Sequence, residues 1–217
     1  MSSDVENIFG ISLGNHLESC REDVLRFEKL FHKINAKYLC LFNCNPQIEI
    51  TNFIKNNKIL EKDLLVVHYS GHGKLIGKNI NGKMEMISTW LCNDNKTHNY
   101  SYEIDYILSK LPCKILLISD SCHSGRFGDF YTGKNMTFLG SSTITNQSKE
   151  YALNGKIKCG ILINILEYTL DHIPFNELTF SSMEEFSREF CKQHRIKIRP
   201  IVKSYIQRYY KYKLTFL

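Results

Sequence analysis

Two short stretches, His68-Tyr-Ser-Gly-His-Gly73 and Asp120-Ser-Cys-His-Ser-Gly125, supply an imidazole and a thiol in settings that suit nucleophilic chemistry. A free thiol ionises near ~8.5 and is mostly protonated at neutral pH, so an imidazole that accepts its proton turns it into the thiolate nucleophile. The same imidazole can return the proton to a leaving amine. His72 and Cys122 are therefore the candidate catalytic pair. The glycines around them let backbone N–H groups approach a substrate carbonyl, so the amides of Gly73 and Cys122 are candidates for an oxyanion hole. His68, His72, Cys122 and His123 are also zinc-type donors, but zinc needs four convergent ligands, and alternation along a strand turns His68 away from the others. His68 is expected to be a packed side chain and His123 a supporting residue of its motif.

Each block follows a short branched apolar run, Leu64-Leu-Val-Val67 or Ile115-Leu-Leu-Ile118, that reads as a strand buried on two faces. In an open parallel sheet the ligand crevice lies beyond the carboxyl ends of the strands, where two neighbouring strands would deliver His72 and Cys122 together. Strand and helix patterns alternate around them. Ile8 to Leu13 reads as a first strand, and Val24, Phe27, Phe31 and Ile34 follow at helical spacing. Tyr38 to Phe42 reads as a strand, and Asn45-Pro46 as the turn into a short helix carrying Ile50, Phe53 and Ile54. Ile104, Ile107, Leu108 and Leu111 mark a helix before the cysteine strand, and Met136 to Gly140 the next strand. Ile161, Leu162, Ile165, Leu166 and Leu170 give a further helical face. Ser181 with Glu184 signals a capping box for a last helix burying Met183, Phe186 and Phe190. The pattern predicts an α/β protein with a mostly parallel central sheet, right-handed crossovers and helices on both faces. Residues 74 to 99 interrupt the alternation, rich in Lys, Asn and Gly, with a strand-like middle from Met84 to Leu91.

The chain has 217 residues, 43% hydrophobic and 23% charged, which suits a single globular domain with a substantial core. No stretch approaches the roughly twenty apolar residues of a membrane span, and Met1 to Asn7 is polar and acidic rather than a leader. Eight cysteines show no repeated spacing, and Cys40 and Cys113 sit in apolar runs. Reduced thiols and an intracellular, cytoplasmic setting are expected. The net charge of +6 comes from the tail, since Lys192 to Leu217 holds eight of the 28 Lys and Arg and none of the 22 acidic residues. Interleaved tyrosines and cations suit nucleic acid, but Tyr210 to Phe216 alternates with period two, and lysines on an edge strand discourage strand pairing. An edge strand is the preferred reading, with neither nucleic acid nor membrane as a partner and a monomer as the working form.

The fifty residues from His72 to Cys122 match the spacing in caspases, although the Gln-Ala-Cys signature of those enzymes is absent. Tyr69-Ser-Gly-His-Gly73 and Asp120-Ser-Cys-His-Ser-Gly125 resemble the histidine and cysteine blocks of the metacaspase branch. Cys20-Arg-Glu-Asp23 resembles the Cys-x-x-Asp at the start of that family's first helix. The resemblance implies a caspase-like fold and a His72–Cys122 dyad. It also implies a primary specificity pocket lined by Asp23 and Asp120, with Cys20 and Ser70 beside them. On its own, Cys20 to Asp23 would be an ordinary helix start with the acid favoured by the dipole. Two carboxylates in one partly desolvated pocket repel each other, and a bound cation relieves the repulsion, so cleavage of protein or peptide substrates after Arg or Lys is expected.

One catalytic domain over residues 1–217 is expected, a large-subunit-like part to about 130 and a small-subunit-like part from about 136, with no prodomain. The resemblance also points toward a calcium site. The matching region is poor in acids, with Asp94 and Glu103 as the nearest candidates, and Asp129 stands where one family ligand would, a thin set for an ion that takes six to eight oxygens. No cofactor is expected to be required, and calcium stays an open alternative. Arg126 and Lys134 are candidate self-cleavage points. Gly140-Ser141-Ser142 replaces the family's Ser-Gly-Cys at the outer wall of the substrate groove. The rival to an active peptidase is a catalytically weak regulator that binds a partner through the same groove.

Overall fold

Leu64 to Val67 and Ile115 to Ile118 lie side by side as parallel strands at the middle of the sheet, because both of their faces are covered. Leu64, Val66, Leu116 and Ile118 pack into one core, and Leu65, Val67, Ile115 and Leu117 into another. A strand buried on both faces has no polar side to show, hence the unbroken apolar runs. The computed structural model describes residues 5–92, 94, 96–133, 135–148, 159–174, 178–197 and 200–204. Its elements run β1 (Ile8–Gly14), α1 (Glu18–Lys33), β2 (Lys37–Phe42), α2 (Pro46–Asn56), β3 (Leu64–Gly71), β4 (Gly73–Ile80), β5 (Lys83–Leu91) and β6 (His98–Tyr100). They continue with α3 (Ser101–Ser109), β7 (Lys114–Ser121), β8 (Met136–Gly140), α4 (Ile161–His172), α5 (Phe180–Gln193) and β9 (Ile201–Ser204).

The central sheet has the order β2-β1-β3-β7-β8-β9, parallel except for β9, which runs antiparallel to β8. Phe27 and Phe31 of α1, Ile161, Leu162, Ile163, Ile165 and Leu166 of α4, and Met183 and Phe190 of α5 fill the core on one face. Ile50 and Phe53 of α2 and Ile104 and Leu108 of α3 fill the other. Asn45 caps α2 by accepting from the Ile48 N–H, and Pro46 opens it where no helical donor is needed.

The structure departs from the sequence reading in three places, one of them β9, a strand the sequence reading did not place. Residues 73–100 hold three strands, not one, and form a separate antiparallel sheet in the order β4-β5-β6. Asn81 and Gly82, at φ 52° and 83°, make the two-residue turn between β4 and β5, whose last register pair is Ile80 with Lys83. Asn-Gly is the sequence that such a turn selects. The cap of α5 is Thr179 with Ser182, not Ser181 with Glu184. The Thr179 hydroxyl accepts from the Ser182 N–H at 3.0 Å, and the Ser182 hydroxyl accepts from the Thr179 N–H at 2.8 Å. The helix therefore begins one residue before Ser181, and Phe186 is only half-buried while Met183 and Phe190 are buried.

Candidate functional site

The ends of β3 and β7 and the first two turns of α1 meet at one cleft of about 390 Å³, lined by Cys20, Asp23, Ser70, His72, Asp120 and Cys122 among others. Every side chain that the sequence singles out for chemistry or substrate binding is thus brought together, Ser70 lying opposite Asp120 in the β3–β7 register. His72 leaves β3 just past its last residue. Gly73 then runs so close to the cysteine turn that a Cβ there would stand 2.1 Å from the Cys122 carbonyl oxygen. Only glycine lets these two backbones touch. His68, by contrast, is fully buried on the α1 face, stacked on Phe27 at 3.8 Å and hydrogen-bonded through Nδ1 to Ser12 at 2.8 Å. Burial pushes its pKa down to about 3, so it is a neutral packed side chain remote from the thiol's chemistry.

The acidic pair is set by the amino-terminus of α4. The Gly160 N–H donates to both oxygens of Asp23, at 2.9 and 3.1 Å, and the Leu162 N–H to Asp120 Oδ2 at 2.8 Å. Ser70 donates to Asp23 at 2.6 Å and Ser148 to Asp120 at 3.2 Å. Unsatisfied helix amides and the positive end of the helix dipole favour carboxylates at such a place, each by about 1 kcal/mol. A Cβ on residue 160 would lie 2.1 Å from Asp120 Oδ2 and 2.8 Å from Asp23 Oδ2, so the acids and the helix end are in contact. Burial, and after it the neighbouring Asp120 charge, push the Asp23 carboxyl above the ordinary carboxylate range. Arg26 of α1, whose charge offsets part of this rise, is turned to α4, where its Nε donates to Glu167 at 2.7 Å. Burial and these acids together push the Cys20 thiol up to about 11, so Cys20 lines the cleft as a neutral thiol.

Cys122 sits at the start of a turn, followed by His123 in the left-handed region at φ 55° and a short 3-10 turn over Ser124–Arg126. His123 hydrogen-bonds through Nδ1 to the Ile144 carbonyl at 2.8 Å, the supporting role expected for it. Ser141 and Ser142 are fully buried beneath this turn, bonded to residues 121 and 124, and so do not form an outer wall of the groove. Burial, and with it the Asp120 charge, raise the Cys122 pKa, so at rest the thiol is protonated.

Residues 8–131 match the family model described as metacaspase, peptidase C14 domain. The chain belongs to this family. As a metacaspase it is a cysteine peptidase, and proteins are its substrates. The chain is similar in fold to solved caspase structures. One, described as pro-sf-caspase-1, is 12% identical with a TM-score of 0.62, covering 95% of each chain. Another, caspase-1 from Spodoptera frugiperda, is 13% identical with a TM-score of 0.58, covering 95% of this chain and 88% of that one. No curated protein sequence matches this one.

The acids considered for calcium are not brought together in this metacaspase. Asp94 accepts from the backbone N–H groups of Lys96 and Thr97, both at 2.9 Å, and from the Thr97 hydroxyl at 2.6 Å. Glu103 accepts from the Tyr102 hydroxyl, and Asp129 pairs with Lys203 at 2.6 Å and Arg126 at 3.4 Å. Among the described residues, no three His, Cys, Asp or Glu side chains are grouped to hold an ion. These residues do not fit a calcium ion. Arg126 is also bound to Glu85 at 2.9 Å and to the Met86 carbonyl at 2.9 Å, so its side chain anchors the turn to β5. Lys134 and the edge strand expected over Tyr210 to Phe216 lie outside the described residues. No described helix is long and apolar enough to cross a membrane.

Sequence reasoning missed Gly160 and Ser148 at the cleft. A glycine just before the apolar helical face of residues 161–170 is a recognisable helix start, but nothing local says that its amides meet Asp23 and Asp120.

Proposed function

We propose that this metacaspase is an endopeptidase that cleaves after Arg or Lys through a His72–Cys122 dyad. What supports the reading is a single observation, that the thiol, the imidazole and the Asp23–Asp120 pair line one cleft. The residues described along that cleft include two carboxylates and no Lys or Arg, so its charge suits a cationic side chain. His72 takes the thiol proton, the sulfur attacks the carbonyl carbon, and the Gly73 and Cys122 amides receive the oxyanion. The C–N bond breaks as His72 returns the proton to the amine, and water then hydrolyses the thioester. With Asp129 engaged by Lys203 and Arg126, activity does not require calcium.

The test compares wild type, Cys122→Ala and His72→Ala on fluorogenic Arg, Lys and Asp peptides, with calcium or with a chelator. Wild type is expected to turn over Arg and Lys peptides only, equally in both conditions. Cys122→Ala should lose at least about a thousand-fold. Equal turnover of Asp peptides would sink the pocket assignment, and a large drop on chelation the calcium reading. The raised thiol pKa favours one second reading, a catalytically weak regulator binding a partner in this cleft. That reading wins if wild type and Cys122→Ala are indistinguishable on every peptide.

A further inference from the structure

Strand β8 pairs with β7 only as far as Gly140 opposite Ser119, so β7 reaches its functional end with no backbone ladder on that side. Two hydroxyls continue the ladder. The Ser121 carbonyl, the last of β7, accepts from Ser142 Oγ at 2.9 Å and from Ser141 Oγ at 3.2 Å, which occupies both of its lone pairs. Ser142 Oγ also accepts from the Ser124 N–H at 3.2 Å, while Ser124 Oγ lies 3.2 Å from the Ser142 N–H and 3.1 Å from the Ser142 carbonyl. One side chain therefore holds the backbone on both sides of Cys122 and His123. All of these serines are buried, where an unpaired hydroxyl would be costly, so the arrangement is built rather than incidental.

We propose that Ser142, with Ser141 beside it, is a positioning residue for the thiol site. Holding the Ser121 carbonyl on the β8 side aims the Cys122 N–H at the opposite side, where β3 delivers His72 and Gly73. The direction follows from the planar trans peptide, in which the C=O of residue 121 and the N–H of residue 122 point oppositely. Contact between Gly73 and the Cys122 backbone on that side agrees with it. The inference rests on the oxyanion role given above to the Cys122 amide, and it predicts stabilisation of the tetrahedral state rather than of bound substrate.

The experiment uses the full chain as wild type, Ser142→Ala and Ser142→Thr. It measures kcat and KM on an Arg peptide, inhibition by the matching Arg aldehyde, thermal midpoint, and the backbone amide resonance of ¹⁵N-labelled Cys122. The aldehyde reports the tetrahedral adduct, since the Cys122 sulfur bonds its carbon, the carbonyl π pair moves to oxygen, and the thiol proton passes to His72. In Ser142→Ala, kcat should fall by about 10- to 100-fold with KM unchanged, and aldehyde affinity should fall by the same factor. The Cys122 resonance should shift, and Ser142→Thr, which keeps the hydroxyl, should recover most of each change. An active wild type with unchanged kcat, aldehyde affinity and resonance in Ser142→Ala overturns the inference and leaves the peptidase reading intact. The same follows if Ala and Thr variants lose kcat alike. A wild type that cleaves no peptide, with the Cys122 resonance still shifted in Ser142→Ala and restored in Ser142→Thr, overturns the peptidase reading and leaves the clamp standing.

Discussion

A thiol poised to attack at neutral pH usually sits beside a positive charge, yet Cys122 has Asp120 for a neighbour, and that carboxylate disfavours the thiolate. The two facts fit together if substrate completes the electrostatics. On the proposed Arg/Lys specificity, a cationic side chain seated on Asp120 would offset the charge that holds the thiol protonated, so the residue proposed to select the substrate would also ready the proposed nucleophile. Asp120→Asn removes the same charge, and the pH profile of Cys122 alkylation by iodoacetamide should move to lower pH while turnover of Arg and Lys peptides falls at least about tenfold. An alkylation profile that stays put, or moves upward, would show that Asp120 does not reach the thiol.

At the scale of elements, the amino-terminus of α4 acts as the floor of the acidic pocket. Gly160→Ala should lower the thermal midpoint and raise KM for Arg peptides about tenfold, because a Cβ there would overlap Asp120 Oδ2. Gly82→Ala is the contrast. Its φ of 83° disfavours a side chain by about 1 kcal/mol, but nothing lies within 4 Å, so stability should fall with kcat/KM unchanged. No KM effect from Gly160→Ala would separate α4 from the pocket, and a KM effect from Gly82→Ala would tie the β4–β5 turn to it. The elements themselves were unevenly legible. Strands β3 and β7 announce themselves because burial on both faces demands unbroken apolar runs. Strand β4 does not, since Lys74, Lys78 and Asn79 on a half-exposed sheet hide it, although Asn81-Gly82 was a sufficient hairpin signal. At α5, Thr179-x-x-Ser182 and Ser181-x-x-Glu184 compete as caps, and Leu178 buried just ahead of Thr179 goes with the earlier start.

For the molecule as a whole, the turn after Cys122 is held from three directions. Arg126 ties it to β5, Lys203 of β9 donates to the Gly125 carbonyl and Asp129, and Asp105 of α3 accepts from the Gly128 and Phe130 N–H groups at 2.9 to 3.1 Å. Asp105 is fully buried, and desolvation pushes its pKa up to about 7. Unfolding returns it to the ordinary value near ~3.9. Between those values the folded chain holds a proton that the unfolded chain releases, so this contribution to stability is complete below about 4 and is lost as pH rises through about 7. The unfolding free energy of wild type minus that of Asp105→Asn should therefore fall across this window, measured by urea denaturation at several pH values. A flat or rising difference would contradict the raised pKa.

The sequence by itself determined the candidate residues that line the cleft, the strands that end beside them and the parallel α/β order, because each is encoded by neighbouring residues. Apolar runs, helical spacing and glycine-flanked blocks are local patterns, and the blocks of residues 20–23, 69–73 and 120–125 were enough to gather the cleft. Tertiary structure alone decided what holds that cleft in shape. Gly160 meets Asp23 across 137 residues, Leu162 meets Asp120 across 42, and Ser142 reaches back 21 to Ser121. Such bonds join a side chain to a distant backbone group, which every residue type carries, so no pattern of residue types announces them. The same applies to Lys203, which reaches the Gly125 carbonyl across 78 residues only because β9 folds back beside β8.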